Sequence, residues 1–257
     1  MKKGVIFFHK NIRSIYKERW INKCRETILN QTIEDFTIYE INYGGDDFSI
    51  FQDVQLENPH IFISEEKSNH AEAMNTIIDL AFGDGCDYVF NTNLDDYYEL
   101  NRFEKQIEFL DQGYDIVSSD FCYAEEIENE DKITHYKEIK KFGSVEFNLE
   151  KYHNVIAHPC VAYSKKFWES NKYNPEEIPA EDMLLWRRGI ESGFKFHICD
   201  EVLLNYRLHS NQVTGNNVYQ APSDGTSVNI SNPKAPSRSG LSGNSSQVNS
   251  VGPMTLR

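Results

Sequence analysis

Basic residues are scarce in this sequence, with 26 Lys and Arg against 40 Asp and Glu and a formal net charge of -14. That balance repels phosphate backbones and anionic membrane surfaces, which argues against a nucleic-acid partner. Cysteines are few and form no pattern: Cys24, Cys86, Cys122, Cys160 and Cys199 are widely spaced, odd in number and include no CxxC. A disulfide framework, a zinc ribbon and a redox centre are therefore not indicated, and free thiols in a reducing compartment are expected. Long hydrophobic runs are also missing, since no window approaches the roughly 18 apolar residues of a membrane span. The start, MKKGVIFFHK, is basic and then apolar, but it passes into charged sequence rather than a cleavage site, so it reads as a first buried strand of a soluble, cytoplasmic protein. There is no internal repeat, and no Ser/His/Asp or Cys/His set stands at a recognisable nucleophile spacing.

What is present suffices for a sizeable core: 257 residues, 39% of them hydrophobic and 13% aromatic. Up to about Ser210, short apolar runs alternate with helical patterns, which predicts an α/β fold with a largely parallel sheet flanked by helices. The expected strands are Gly4–Phe8, Phe36–Asn42, His60–Ile63, Asp87–Asn91 and Tyr114–Ser118. Trp20, Ile21, Cys24 and Ile28 share one helical face, and Ala73, Met74, Ile77, Ile78, Ala81 and Phe82 share another. Residues 122–150 are charged and aromatic, with weak alternation around Gly143, and suggest an irregular hairpin insertion. A helix over Glu181–Glu191 and strands over Phe194–Ile198 and Val202–Leu208 complete a domain spanning 1–212. The remaining 213–257 are rich in Ser, Asn, Gly and Pro and are expected to be a disordered tail.

Ligands of open α/β sheets bind at the carboxyl ends of strands, and the residues there are polar. The second strand ends in Asn42-Tyr43-Gly44-Gly45-Asp46-Asp47, which could approach a ribose or base closely or could be only a turn. The fourth runs into Asn93-Leu94-Asp95-Asp96, where adjacent carboxylates suit a hard divalent cation with substrate phosphates, or else a solvated helix cap. Glu181 and Asp182 open a predicted helix, where the helix dipole alone would favour acids. Arg207 could fork onto phosphate, while His209 by itself is more often structural than a ligand.

Four segments, in the same order, resemble the family 2 glycosyltransferases and their GT-A relatives over roughly residues 4 to 212. GVIFFHKN, with His9, is similar to the opening strand and nucleotide loop, and EINYGGDD to the motif contacting base and ribose. SNHAEAMNTIIDLAFGDGCDYVFNTNLDD resembles the stretch from a helix carrying Asn75 to the metal-binding Asp-x-Asp. Met74 stands where arginine is common and Asn93 where the first acid is expected, leaving Asp95 as the metal ligand. EDMLLWRRGIESGFKFHICDEVLLNYRLHSNQ resembles the Glu-Asp helix and the closing Tyr-Arg-x-His. The resemblance implies an inverting, Mn²⁺- or Mg²⁺-dependent sugar transfer. A nucleotide-sugar donor, UDP-linked at family level, would give its sugar to a hydroxyl of a glycan, protein or small molecule. Asp182, beside Glu181, would be general base and His209 would complete the metal shell. His9, Asn42, Asp46, Asp47, Asn75, Asn93, Leu94 and Arg207 would line the donor site. A nucleotidyltransferase is the nearest rival, although HKNIRS has no glycine for a phosphate loop, and a non-catalytic nucleotide-sugar-binding module is another.

Overall fold

A computed structural model describes residues 1–137, 155–210 and 212, all within one compact unit, Met1–Gly215. The alternation around Gly143 and the Ser/Asn/Gly/Pro tail lie outside the described residues. In chain order the strands are β1 (Lys3–His9), β2 (Thr37–Asn42), β3 (His60–Ser64), β4 (Tyr88–Thr92), β5 (Tyr97–Tyr98), β6 (Ile116–Ile127), β7 (Glu130–Lys137), β8 (Ala162–Ser164) and β9 (Phe196–Leu208). The helices are α1 (Ile12–Ile15), α2 (Glu18–Leu29), α3 (His70–Gly83), α4 (Arg102–Leu110), α5 (Lys165–Ser170) and α6 (Glu181–Glu191).

The strands form one sheet in the order β3-β2-β1-β4-β8-β6-β9-β5, with β7 added to β6. The first four are mutually parallel, and β9 runs parallel to β6. β8 is antiparallel to both β4 and β6, joining the two parallel parts. β1 is a near-continuous apolar run and all six residues of β2 are buried, because both faces of the sheet are covered. On one face α3 buries Ala73, Met74, Ile77 and Ile78, and its core continues through Trp168 and Trp186. On the other, Phe103 of α4 meets Phe90 at 4.4 Å and Phe36 at 5.5 Å. Asn69 caps α3 by accepting from the Glu72 amide. Gly189 of α6 has a packing reason, since a Cβ there would lie 2.6 Å from Phe167 Cε2 and 2.9 Å from Phe196 Cζ.

Two of the expected elements take a different form. β6 does not stop near Ser118 but runs on to Ile127 and turns through Glu128 and Asn129, both at left-handed φ (54° and 65°), into β7. The described part of the expected irregular insertion is thus a regular hairpin with one register shift, at Tyr123/Ala124. The two expected last strands are one, β9, whose pairing with β6 shifts register on either side of Asp120.

Candidate active site at the strand ends

At the carboxyl ends of β1 and β2 the chain builds a rigid shelf around a fully buried carboxylate, Glu40. His9 and His60 each turn Nε2 to it, at 2.7 and 2.8 Å, while the Ser49 hydroxyl donates at 2.6 Å and the Ile50 amide at 2.7 Å. Burial alone would push this acid up, but the hydrogen bonds from His60, His9 and Ser49 prevail and hold it at about 2. Asn42 accepts from the Gly44 amide at 3.0 Å and donates to Asp46 Oδ1 at 2.6 Å and the Phe48 carbonyl at 3.0 Å. Asn42 and Asp46 therefore shape the loop, and Asp47 is exposed at its tip. His9 is occupied by Glu40, and its Nδ1 is buried without a partner among the described residues.

Beyond β4, the Asn93 amide donates to the Tyr98 hydroxyl at 2.8 Å, and Leu94 is buried. Asp95 and His209, 114 positions apart, meet at 2.9 Å. Trp20 packs on His209 at 4.9 Å between ring centroids, and its indole N–H donates to Glu126 at 2.9 Å. In the same loop, Asn93 Oδ1 and Asp96 Oδ2 are buried with no hydrogen-bond partner among the described residues. Burial, then the charge of Asp95, raises Asp96 well above the usual carboxylate range. Burial and Asp95 act in the same direction on the Tyr16 phenol. Arg207 is wholly buried, and its fork is engaged by Asp131 of β7, at 3.1 Å from Nε and 2.6 Å from Nη2. Its Nη1 donates to the Asp95 carbonyl and its amide to Asp96 Oδ1. The guanidinium thus supports the acidic loop from behind.

The third group lies where α3 and α6 begin. α6 has Ala180 as N-cap with no side-chain cap, so neither acid serves as its cap residue. Glu181, 8% exposed, instead takes a 2.6 Å hydrogen bond from His70 Nε2 on Oε1. Asp182 accepts from the Met183 amide at 2.6 Å. Asn75 clasps the backbone of Tyr173, donating to its carbonyl at 2.8 Å and accepting from its amide at 3.0 Å. The Tyr173 hydroxyl lies 2.9 Å from His158 Nε2 and 2.6 Å from the Tyr163 hydroxyl. His158 is lowered by burial against the opposing pull of Asp182 and Glu181.

The profile of glycosyl transferase family 2 matches residues 12–170. The chain belongs to that family. An uncharacterized glycosyltransferase of Methanocaldococcus jannaschii is 27% identical over 198 residues, 74% of this chain and 67% of that protein. The O-antigen biosynthesis glycosyltransferase WbnJ of Escherichia coli is 22% identical over 205 residues, 75% of this chain and 76% of that protein. Among solved structures, S. aureus TarS 1-349 in complex with UDP-GlcNAc aligns over 81% of this chain and 59% of its own, at 13% identity and a TM-score of 0.63. The mannosyltransferase PcManGT of Pyrobaculum calidifontis, in complex with GDP-Man and Mn²⁺, aligns over 79% of this chain and 55% of its own, at 14% identity and a TM-score of 0.56. These structural likenesses establish the GT-A type of α/β fold, and this glycosyltransferase spans little over half of either solved chain.

Sequence reasoning missed several residues of this family 2 glycosyltransferase. Glu40 sits inside an apolar strand, where its charge reads as a solvent-facing position. Asp131, His70 and Trp20 act through partners 76, 111 and 106 positions away, a distance at which spacing carries no signal.

Proposed function

We propose that this glycosyltransferase takes a sugar from a nucleoside-diphosphate donor, with UDP as nucleotide, and passes it with inversion to an acceptor hydroxyl. The carrying observation is the meeting of Asp95 with His209, in a loop whose Asn93 Oδ1 and Asp96 Oδ2 are buried with no hydrogen-bond partner among the described residues. Oxygens held without partners in the interior fit a cation, and a carboxylate, an imidazole and a neutral amide oxygen are suitable ligands for Mn²⁺ or Mg²⁺. No three His, Cys, Asp or Glu side chains among the described residues are grouped to hold a metal alone. The shell would therefore have to be completed by substrate phosphates. Bound there by Asp95 and His209, the ion would offset the charge growing on the departing diphosphate.

Asp182 is the general base: it takes the proton of the acceptor hydroxyl as that oxygen attacks the anomeric carbon and the bond to the nucleoside diphosphate breaks. Arg207 fixes the acidic loop, and Asn75 holds the Tyr173 segment that leads into Glu181 and Asp182. The donors named for the structural neighbours, UDP-GlcNAc and GDP-Man, support a nucleotide sugar. The five cysteines are free and buried, which supports work in a reducing, cytoplasmic setting. No helix among the described residues is long and apolar enough to cross a membrane. The test is calorimetry of UDP, GDP and CDP with Mn²⁺ or with chelator, followed by product stereochemistry with UDP-GlcNAc. Binding of UDP that disappears with chelator is expected, and equal binding without metal would remove the metal from the reading.

A further inference from the structure

The cluster at the starts of α3 and α6 contains more than the general base. His70 is the first residue of α3 and Glu181 the first of α6. They meet at 2.6 Å, with side chains 21% and 10% exposed. Their geometry is fixed by bonds between α3 and the segment before α6. Asn75 clasps Tyr173 twice, Asn69 donates to the Pro175 carbonyl at 3.3 Å, and Asp79 accepts from the Trp168 indole at 2.7 Å. The second oxygen of Glu181, Oε2, is buried and has no hydrogen-bond partner among the described residues. A buried acceptor without a donor costs roughly 1–3 kcal/mol, more for a charged group, so such an atom calls for an explanation.

An ionised carboxylate is an acceptor only, so its free oxygen can take a hydroxyl or amide hydrogen and would repel another anion. Beside a general base in a glycosyltransferase, the neutral hydroxyl-rich group at hand is a sugar. Of the two sugars, the transferred one comes attached to the diphosphate and can be enclosed before the acceptor arrives, which suits an oxygen as buried as Oε2. We propose that His70 is a positioning residue that orients Glu181, leaving its Oε2 to receive a hydroxyl of the transferred hexose. This rests on the reading of Asp182 and the nucleotide-sugar donor given above.

Groups facing Glu181 are His70 from α3, His158 from the 3-10 turn His158–Cys160, and Asp182 on its own helix. Burial pushes Glu181 up, but the His70 hydrogen bond, the residue's own backbone amide and the nearby imidazoles leave it below the usual range. Without His70 the burial cost is less opposed, so Glu181 would take up its proton at higher pH and lose the hydroxyl.

The experiment measures calorimetric affinity for UDP and for UDP-GlcNAc, each with Mn²⁺, across pH for the wild-type chain and for His70→Phe, His70→Gln and Glu181→Gln. His70→Phe and Glu181→Gln should weaken UDP-GlcNAc by about 10- to 100-fold, the scale of a charge-assisted hydrogen bond, and leave UDP unchanged. The loss in His70→Phe should grow as pH falls, and His70→Gln, which keeps an N–H donor, should recover most of it. A purely structural histidine would lower UDP and UDP-GlcNAc affinity together, or would leave the pH dependence unmoved, and either result overturns the assignment. A wild-type chain that binds neither ligand overturns the donor reading and this inference with it. A wild-type chain that binds both, with an unchanged His70→Phe, overturns this inference alone.

Discussion

Glu40 illustrates how much one side chain can hold in place. Four donors converge on it inside the sheet, and its ionised form is held at about 2 although burial works against it. The ordinary value is 4.5, so its charge contributes stability that is complete above about pH 4.5 and is lost as pH falls through the folded value near 2. That difference corresponds to the order of 3 kcal/mol. Glu40→Gln keeps the shape but faces donors with an amide group, leaving some of them unsatisfied. It should lower unfolding free energy by about 2–4 kcal/mol at pH 7, with a smaller difference at pH 2–3, measured by urea titration. An equal loss at both pH values would mean that the charge is not what the shelf requires.

At the scale of elements, α6 tests whether propensity or packing decides. Gly189→Ala would gain about 1 kcal/mol in a helix interior, but its Cβ would meet two aromatic rings, at 2.6 and 2.9 Å. Overpacking of that kind costs about 1–3 kcal/mol, so a net loss of stability is expected in thermal unfolding. A more stable variant would show that Phe167 and Phe196 yield easily. The same balance explains what was legible. β1 to β4, α2, α3 and α6 could be read because their apolar residues repeat at strand or helix periods. α4 has no counterpart in that reading, because its buried face includes Arg102 and Gln106, which bond each other at 3.0 Å and reach the Asn91, Val117 and Cys160 carbonyls. A hydrophobic period cannot see a face made of satisfied polar groups. The continuation of β6 was hidden in the same way by charges on its hairpin. In the site, the segment around Asp95 and the Glu-Asp pair stood out as motifs, whereas the partners of Arg207 and Glu181 depended on the fold.

Across the whole molecule, those two acidic segments come from different parts of the chain, and their separate origins allow separate failures. Asp95 meets His209 at the end of β9, while Asp182 stands at the start of α6 beside the His70–Glu181 pair. If Asp95 holds the metal and diphosphate, Asp95→Ala should abolish metal-dependent nucleotide binding. Asp182→Asn should leave the donor bound and slow transfer by roughly 10²–10⁴-fold, the usual contribution of a positioned general base. The Asn oxygen can still accept from the Met183 amide as Asp182 does, so thermal stability should change by less than about 0.5 kcal/mol. Donor affinity by calorimetry and single-turnover transfer, measured on both variants, separate binding from chemistry. Near-normal transfer by Asp182→Asn would remove the general base from Asp182, because a side chain that only ties down the first turn of α6 does that equally well without a charge.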